Sequence, residues 1–278
     1  MEANPSLLGI AQFAVGYDNI DVSIATELGI PVSNTPGVLT DTTADLTWAL
    51  LLSVSRNIVT GDEYMRGNNY KLWGPNLLLG EDTSPGGDGR KKILGVVGFG
   101  RIGQAVTRRA MGFDMRVLAY DPYAREAIEA DGQAEWADLD QLLTESDFVS
   151  IHTLLSNETR HLISTTEFEK MKPTAYILNA ARGPIIDEAA LVVALNEGEI
   201  AGAGLDVYER EPKMVQGLAE CKNAVLLPHL GRASRGTRDK MATMAATNAI
   251  AMLQGDRAPN CVNADVYDST AYAKRSGH

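Results

Sequence analysis

The chain has 278 residues, 45% of them apolar, with a formal net charge of −11 and two cysteines. That length permits one large or two ordinary domains with an ample core, and the acidic balance, unrelieved by any basic cluster, excludes a nucleic-acid partner. No apolar run reaches membrane length, the opening residues do not read as a signal peptide, and Cys221 and Cys261 lack CxxC or zinc spacing. Both cysteines read as reduced thiols, and the chain as a soluble cytoplasmic protein that binds no metal.

In chain order, residues 42–59 carry Leu46, Leu50, Leu51, Val54 and Ile58 at helical spacing, a pattern expected for core and for a dimer seam. The loop-rich stretch EDTSPGGDGRKK at 81–92 leads into ILGVV at 93–97, a short apolar run of buried-strand type. Gly98, Gly100 and Gly103 follow at G-x-G-x-x-G spacing, and residues 102–112 resume a helical pattern. At such a turn Gly98 permits the tight bend, Gly100 the approach of a pyrophosphate, and Gly103 close helix packing. The N–H groups at the helix start, beginning with Arg101 and Ile102, would face the phosphates. A second strand, RVLAY at 116–120, ends at Asp121, which follows the glycines by roughly 20 residues, where a carboxylate accepts from an adenosine ribose. A carboxylate there repels a ribose 2′-phosphate, which favours NADH over NADPH, although Arg125 stands close by. The rival reading of Asp121 is a solvated turn residue before Pro122.

Alternation then continues with a helix at 124–131, a strand near Ala134, a helix at 138–144, and strands at 147–152, 175–180, 201–207 and 223–228. Asp187 opens a helix that Gly198 closes. This is the pattern of a doubly wound parallel α/β sheet of Rossmann type. The helix at 236–254 places Met241, Met244 and Met252 near one face as ordinary packing. The tail from Asp268 reads as polar and poorly ordered.

Ligands bind beyond the carboxyl ends of strands in such sheets, so polar residues just after strands carry the chemistry. Arg182 follows AYILNA, Asp206 and Glu211 follow AGAGL, and His229 follows NAVLLP. Arg182 could hold a carboxylate and polarise a carbonyl through its planar fork. His229 could deliver a proton to a developing alkoxide, with Glu211 fixing its tautomer. The set suits hydride transfer from a nicotinamide to a 2-oxo acid. Each has a structural rival: Arg182 paired with Asp187 or Glu188, Glu211 as a solvated loop carboxylate, His229 as a satisfied buried histidine.

The segments LNAARGPIID, AGAGLDVYEREP and LLPHLGRAS resemble the three signatures of the D-isomer-specific 2-hydroxyacid dehydrogenases. Within that family the chain is most similar to the glyoxylate/hydroxypyruvate reductases, through VGYDNID at 15–21, NTPGVLTDTTADLTWALLL at 34–52 and LWGPNLLLG at 72–80. The resemblance implies that Arg182 binds the substrate carboxylate and carbonyl, that His229 is the acid/base and that Glu211 is its partner. It implies further that Asp206 and Ala181 join the NAD-binding set, Asp206 at the nicotinamide end. The backbone of Val15 and Gly16 would grip the substrate carboxylate, and a homodimer would form through the nucleotide domains.

The implied organisation is an NAD-binding domain at 39–234 and a truncated flavodoxin-like substrate domain from 1–38 and 235–278. Family members carry three further βα units before the segment equivalent to LLGIAQFAVGYDNID, whereas the similarity here begins at Pro5. A truncated or misassigned start is the reading that follows, leaving GIAQFAV with an exposed edge. The rival function is a catalytically impaired NAD(H)-binding paralogue or an NAD-sensing interaction module. Where the family often has His-x-Pro-Leu, this chain has His152-Thr153-Leu154-Leu155, and His152 reads as structural. Arg232 stands where a small residue is usual, facing either a second anionic group of the substrate or solvent.

Overall fold

In a computed structural model, the chain is described at residues 1, 4, 6–86 and 89–276. The Pro5 start of the resemblance, residues 87–88 of the loop-rich stretch and the last two residues of the tail lie outside that range. The elements run β1 (Ile10–Ala11), α1 (Val22–Glu27), β2 (Val32–Ser33), α2 (Thr40–Ser55), α3 (Ile58–Arg66), β3 (Ile93–Val97), α4 (Arg101–Ala110), β4 (Arg116–Tyr120) and α5 (Arg125–Asp131). They continue with β5 (Glu135–Trp136), α6 (Leu139–Glu145), β6 (Phe148–Ile151), α7 (Thr165–Lys170), β7 (Tyr176–Asn179), α8 (Glu188–Glu197), β8 (Gly202–Leu205), β9 (Ala224–Leu226), α9 (Arg235–Leu253) and α10 (Thr270–Ser276). Two compact units emerge, Met1–Thr42 with Arg232–His278, and Thr43–Gly231.

The larger unit is built on a seven-stranded sheet in the order β5-β4-β3-β6-β7-β8-β9, every neighbouring pair parallel. The order reverses direction between β3 and β6, the switch point at which Rossmann sheets open a ligand crevice. All four residues of β6 and of β8 are buried, as strands covered on both faces require. One core layer centres on Leu142, Phe168, Ile177 and Leu191, the other on Leu50, Val96, Val106 and Phe148. Trp48 ties α2 to the second layer by stacking on Phe113 at 4.4 Å and donating its indole N–H to Val106 O.

The helical pattern across 42–59 is broken. Asn57 takes a left-handed φ of 51°, α2 ends at Ser55, and Ile58 begins α3 with 53% of its surface exposed rather than joining the core. The ends read for α8 are present: Asp187 accepts from the N–H groups of Ala189 and Ala190, and Gly198 closes the helix at φ 73°.

In the smaller unit β1 and β2 pair in parallel, and Asn263 accepts from Val32 N while donating to Ile30 O and Thr26 Oγ1. Asn248, fully buried on α9, donates to Asn34 O. The tail is helical through Ser276, contrary to the compositional expectation. Ser269 accepts from Tyr272 N at the start of α10, and Arg275 donates to Leu28 O and Leu7 O, both at 2.9 Å. A Cβ on Gly29 would come within 2.4 Å of the Ala271 carbonyl carbon, so α10 seats directly on that turn.

Candidate active site

The glycine turn sits at the switch point of the larger unit. Gly98 has φ 95°, and a Cβ there would meet Thr153 N at 2.6 Å and the His152 carbonyl carbon at 2.7 Å. Glycine is therefore demanded by both conformation and space. A Cβ on Gly103 would lie 2.2 Å from Gly98 O, so α4 packs on the turn at a distance only glycine permits. A Cβ on Gly100 would meet nothing within 4 Å. The start of α4 is thus open where a pyrophosphate would lie, and its first N–H groups, including those of Arg101 and Ile102, have no helix carbonyl within reach.

Asp121 stands at the end of β4 and is bound into this turn. Its Oδ2 accepts from Phe99 N at 2.9 Å and its Oδ1 from Tyr123 N at 3.0 Å. Arg125 is directed elsewhere: it donates to Glu129 at 2.9 Å and lies 4.2 Å over the Trp136 ring. His152 is partly exposed as a residue, but its Nδ1 is buried and its Nε2 lies 2.7 Å from Ser150 Oγ, and burial holds its ring well below the ordinary histidine range, at about 3. The residue is structural and neutral.

Arg182 follows β7 in extended backbone. Its loop is shaped by the buried Asn179, which accepts from Ala181 N at 3.0 Å and donates to Arg182 O at 2.9 Å. Arg182 Nη1 donates to Ala181 O at 2.8 Å. The carboxylate of Asp187, offered as a partner for Arg182, caps α8 and bonds Ser164 Oγ. Gly183 then presses against the chain leaving β8, where a Cβ would fall 1.8 Å from the Tyr208 carbonyl carbon.

Beyond β8 and β9, Glu211 and His229 come together. His229 Nδ1 lies 2.9 Å from Glu211 Oε2, while Glu211 Oε1 accepts from Tyr208 N at 3.1 Å. With Nδ1 held by a carboxylate, the ring presents Nε2 for proton transfer. His229 occupies the left-handed region at φ 56°, which costs a non-glycine residue about 1 kcal/mol. Asp206 sustains that conformation. Its carbonyl accepts from His229 N at 2.9 Å, and its carboxylate takes Leu230 N at 2.6 Å and Gly231 N at 2.7 Å. Asp206 is 1% exposed; burial pushes its carboxyl above the usual range, and the two N–H groups pull it back. Both oxygens thus secure the turn after His229.

A second carboxylate pair supports the same loops without any sequence motif to mark it. Glu188, on α8, is 4% exposed and takes Glu209 N at 2.6 Å, while Glu209 takes Glu188 N at 2.9 Å. Tyr208, whose hydroxyl donates to Leu227 O, has its phenol pushed up to about 12 by burial, with Asp206, Glu188 and Glu211 adding to the effect.

Val15 and Gly16 belong to the smaller unit. Val15 O accepts from Asn34 Nδ2 at 2.8 Å, and Gly16 O from Gln12 Nε2 at 3.4 Å. Among the described residues no cluster of His, Cys, Asp and Glu is arranged to hold a metal ion, and no helix is long and apolar enough to cross a membrane.

A carboxylate-held imidazole at the carboxyl ends of a dinucleotide-type sheet is an arrangement suited to a nicotinamide-dependent oxidoreductase. The model of the D-isomer-specific 2-hydroxyacid dehydrogenase NAD-binding domain matches residues 48–231, and the chain belongs to that family, oxidoreductases acting on the CH–OH group. It is 48% identical over 274 residues to a glyoxylate reductase of Thermococcus litoralis, covering 97% of this chain and 81% of that one. A glyoxylate reductase of Korarchaeum cryptofilum is 50% identical over 267 residues, 95% of this chain and 79% of that one. Among solved structures, the NADPH-dependent glyoxylate/hydroxypyruvate reductase of Sinorhizobium meliloti, bound to NADP and malonate, superposes with a TM-score of 0.83. It shares 32% identity over 95% of this chain and 80% of that one.

Proposed function

We propose that this chain reduces glyoxylate or hydroxypyruvate to the D-2-hydroxy acid with NADH as the preferred donor. The observation that carries the reading is the 2.9 Å contact between His229 Nδ1 and Glu211 Oε2. Glu211 fixes the ring orientation and tautomer, so that His229 donates from Nε2 to the carbonyl oxygen of the substrate as that oxygen gains charge. The nicotinamide, when bound, supplies the hydride. Arg182 holds the substrate carboxylate and polarises its carbonyl through a planar fork. The backbone at Val15 and Gly16, in the smaller unit, is assigned to substrate binding by the family resemblance. Gly98, Gly100, Arg101, Ile102 and Gly103 receive the pyrophosphate, Asp121 the adenosine ribose, and Ala181 and Asp206 belong to the nicotinamide end.

The preference for NADH is supported by the Asp121 carboxylate beside the glycine turn and by Arg125 being committed to Glu129 and Trp136. The protein is read as a cytoplasmic homodimer through its nucleotide domains, and light scattering showing a monomer would remove that part. The purified chain mixed with NADH and either acid should lose nicotinamide absorbance, and His229→Ala should abolish the loss. Wild type and variant equally inert while NADH still binds would overturn the assignment.

A further inference from the structure

We infer that Glu188 is a positioning residue for this reaction, its buried carboxylate locking the loop that carries Glu211 to the helix that follows the Arg182 turn. The inference rests on the proposed reduction for its kinetic consequences, and on geometry for its mechanism.

Glu188 is the first residue of α8, directly after the Asp187 cap. Its Oε1 accepts from Glu209 N at 2.6 Å and its Oε2 from Val215 N at 3.2 Å, so one carboxylate grips the 209–215 loop at both ends. The loop answers in kind. Glu209 Oε1 accepts from Glu188 N at 2.9 Å and lies 3.3 Å from His161 Nε2. Glu211 lies inside the gripped segment, and its Oε1 is held by Tyr208 N just ahead of it. On the other side, Gly183 rests against the Tyr208 and Glu209 backbone, which brings the Arg182 turn to the same loop.

Arg182 and the Glu211–His229 pair come from three different strand ends. The grip by Glu188, returned by Glu209, ties the loop of one to the helix behind the other. A buried carboxylate is costly unless its oxygens are met. A leucine or methionine would fill the space without that cost, but could accept neither N–H. Charge also collects here: burial raises the Glu188 carboxyl, the two N–H groups lower it, and Glu209 and Glu211 raise it further.

The test compares wild type, His229→Gln, Glu188→Gln and Glu188→Met. Turnover is followed with NADH and glyoxylate, NADH affinity by fluorescence titration, and the His229 Nδ1–H resonance by NMR at one fixed pH. His229→Gln assigns that resonance among the four histidines. Glutamine keeps one acceptor and methionine none, so kcat should fall by about 10-fold and about 100-fold respectively, the scale of a small misplacement of a reacting group. KM and NADH affinity should hold, and the resonance should move or broaden in the same order.

A folded Glu188→Gln with wild-type kcat, or a reduced kcat with an unmoved His229 resonance, overturns the inference. Should Glu188→Met fail to fold, Glu188→Gln decides by the same two measurements. The resonance needs no turnover. A wild type that reduced neither acid would therefore sink the proposed function, while the resonance would still decide whether Glu188 holds the pair.

Discussion

A Cβ placed on Gly183 would lie 1.8 Å from the carbonyl carbon of Tyr208. That distance is less than any non-bonded contact, so the turn behind Arg182 and the chain leaving β8 are in backbone contact that only glycine allows. Gly183→Ala must separate them. Stability should fall by roughly 1–3 kcal/mol, the usual cost of overpacking. The displaced Arg182 loop should cut kcat/KM by about 100-fold, while NADH affinity, assigned mainly to the proposed site at the glycine turn, should fall less. An alanine variant with wild-type kinetics would show that the Arg182 loop has no fixed place in the site.

Asp206 uses both carboxylate oxygens on consecutive N–H groups, those of Leu230 and Gly231, just after the left-handed His229. Asparagine would present an NH2 group to one of these donors, at a cost of about 1–3 kcal/mol for the unmet pair. Asp206→Asn should therefore lower kcat by about tenfold or more through a displaced imidazole. The NADH Kd should rise with it, since Asp206 stands at the proposed nicotinamide end. A raised Kd with an intact kcat would place the work of Asp206 on the nicotinamide alone.

Legibility in the sequence followed the range of the forces involved. β3, the glycine turn, α4 and β4 are specified within one βαβ unit, and α8 carries its own cap at Asp187 and stop at Gly198. Local rules suffice for them. The break at Asn57 was hidden because leucine and isoleucine spacing runs on through it, while the backbone does not. The two-residue strands β1 and β2 are too short to carry a period. α10 escaped because what orders it comes from the far end of the chain: Arg275 bonds carbonyls 268 and 247 residues away. Glu211 and His229 could be brought together by strand-end reasoning, since both follow strands of one sheet. The Glu188–Glu209 exchange could not. Glutamate at the first turn of a helix is ordinary capping chemistry, and nothing local says that a distant loop will return the bond.

Asp121 should decide the cofactor. Its carboxylate is fixed by Phe99 N and Tyr123 N, and Arg125 is stacked on Trp136 and paired with Glu129. Asp121→Ser removes a charged acceptor, worth about 1.5–3 kcal/mol to a hydroxyl donor, so NADH affinity should fall by at least about tenfold. NADPH, freed from repulsion of its 2′-phosphate, should be used better in the variant than in wild type. Cofactor titrations giving equal NADH and NADPH affinities for both proteins would remove Asp121 from the recognition.

The buried imidazole of His152 makes the larger unit sensitive to acid. Its ordinary value of 6.5 is lowered to about 3 by burial, so the unfolded chain takes up a proton near pH 6.5 that the native fold refuses. Stability from this residue is complete above pH 6.5 and is lost as the pH falls towards 3, at about 1 kcal/mol per pH unit. Asp206 and Glu188 work in the opposite sense. Their carboxyls are raised by burial, so the native state binds their protons first and gains on acidification. The net slope mixes these groups, and the difference between two proteins isolates one. His152→Gln cannot titrate and keeps a polar group near Ser150 Oγ. Between pH 7.5 and pH 5.5 the wild-type Tm should therefore drop by a few degrees more than that of the variant. Parallel Tm-against-pH curves for the two proteins would mean that His152 is not the buried neutral group its surroundings require.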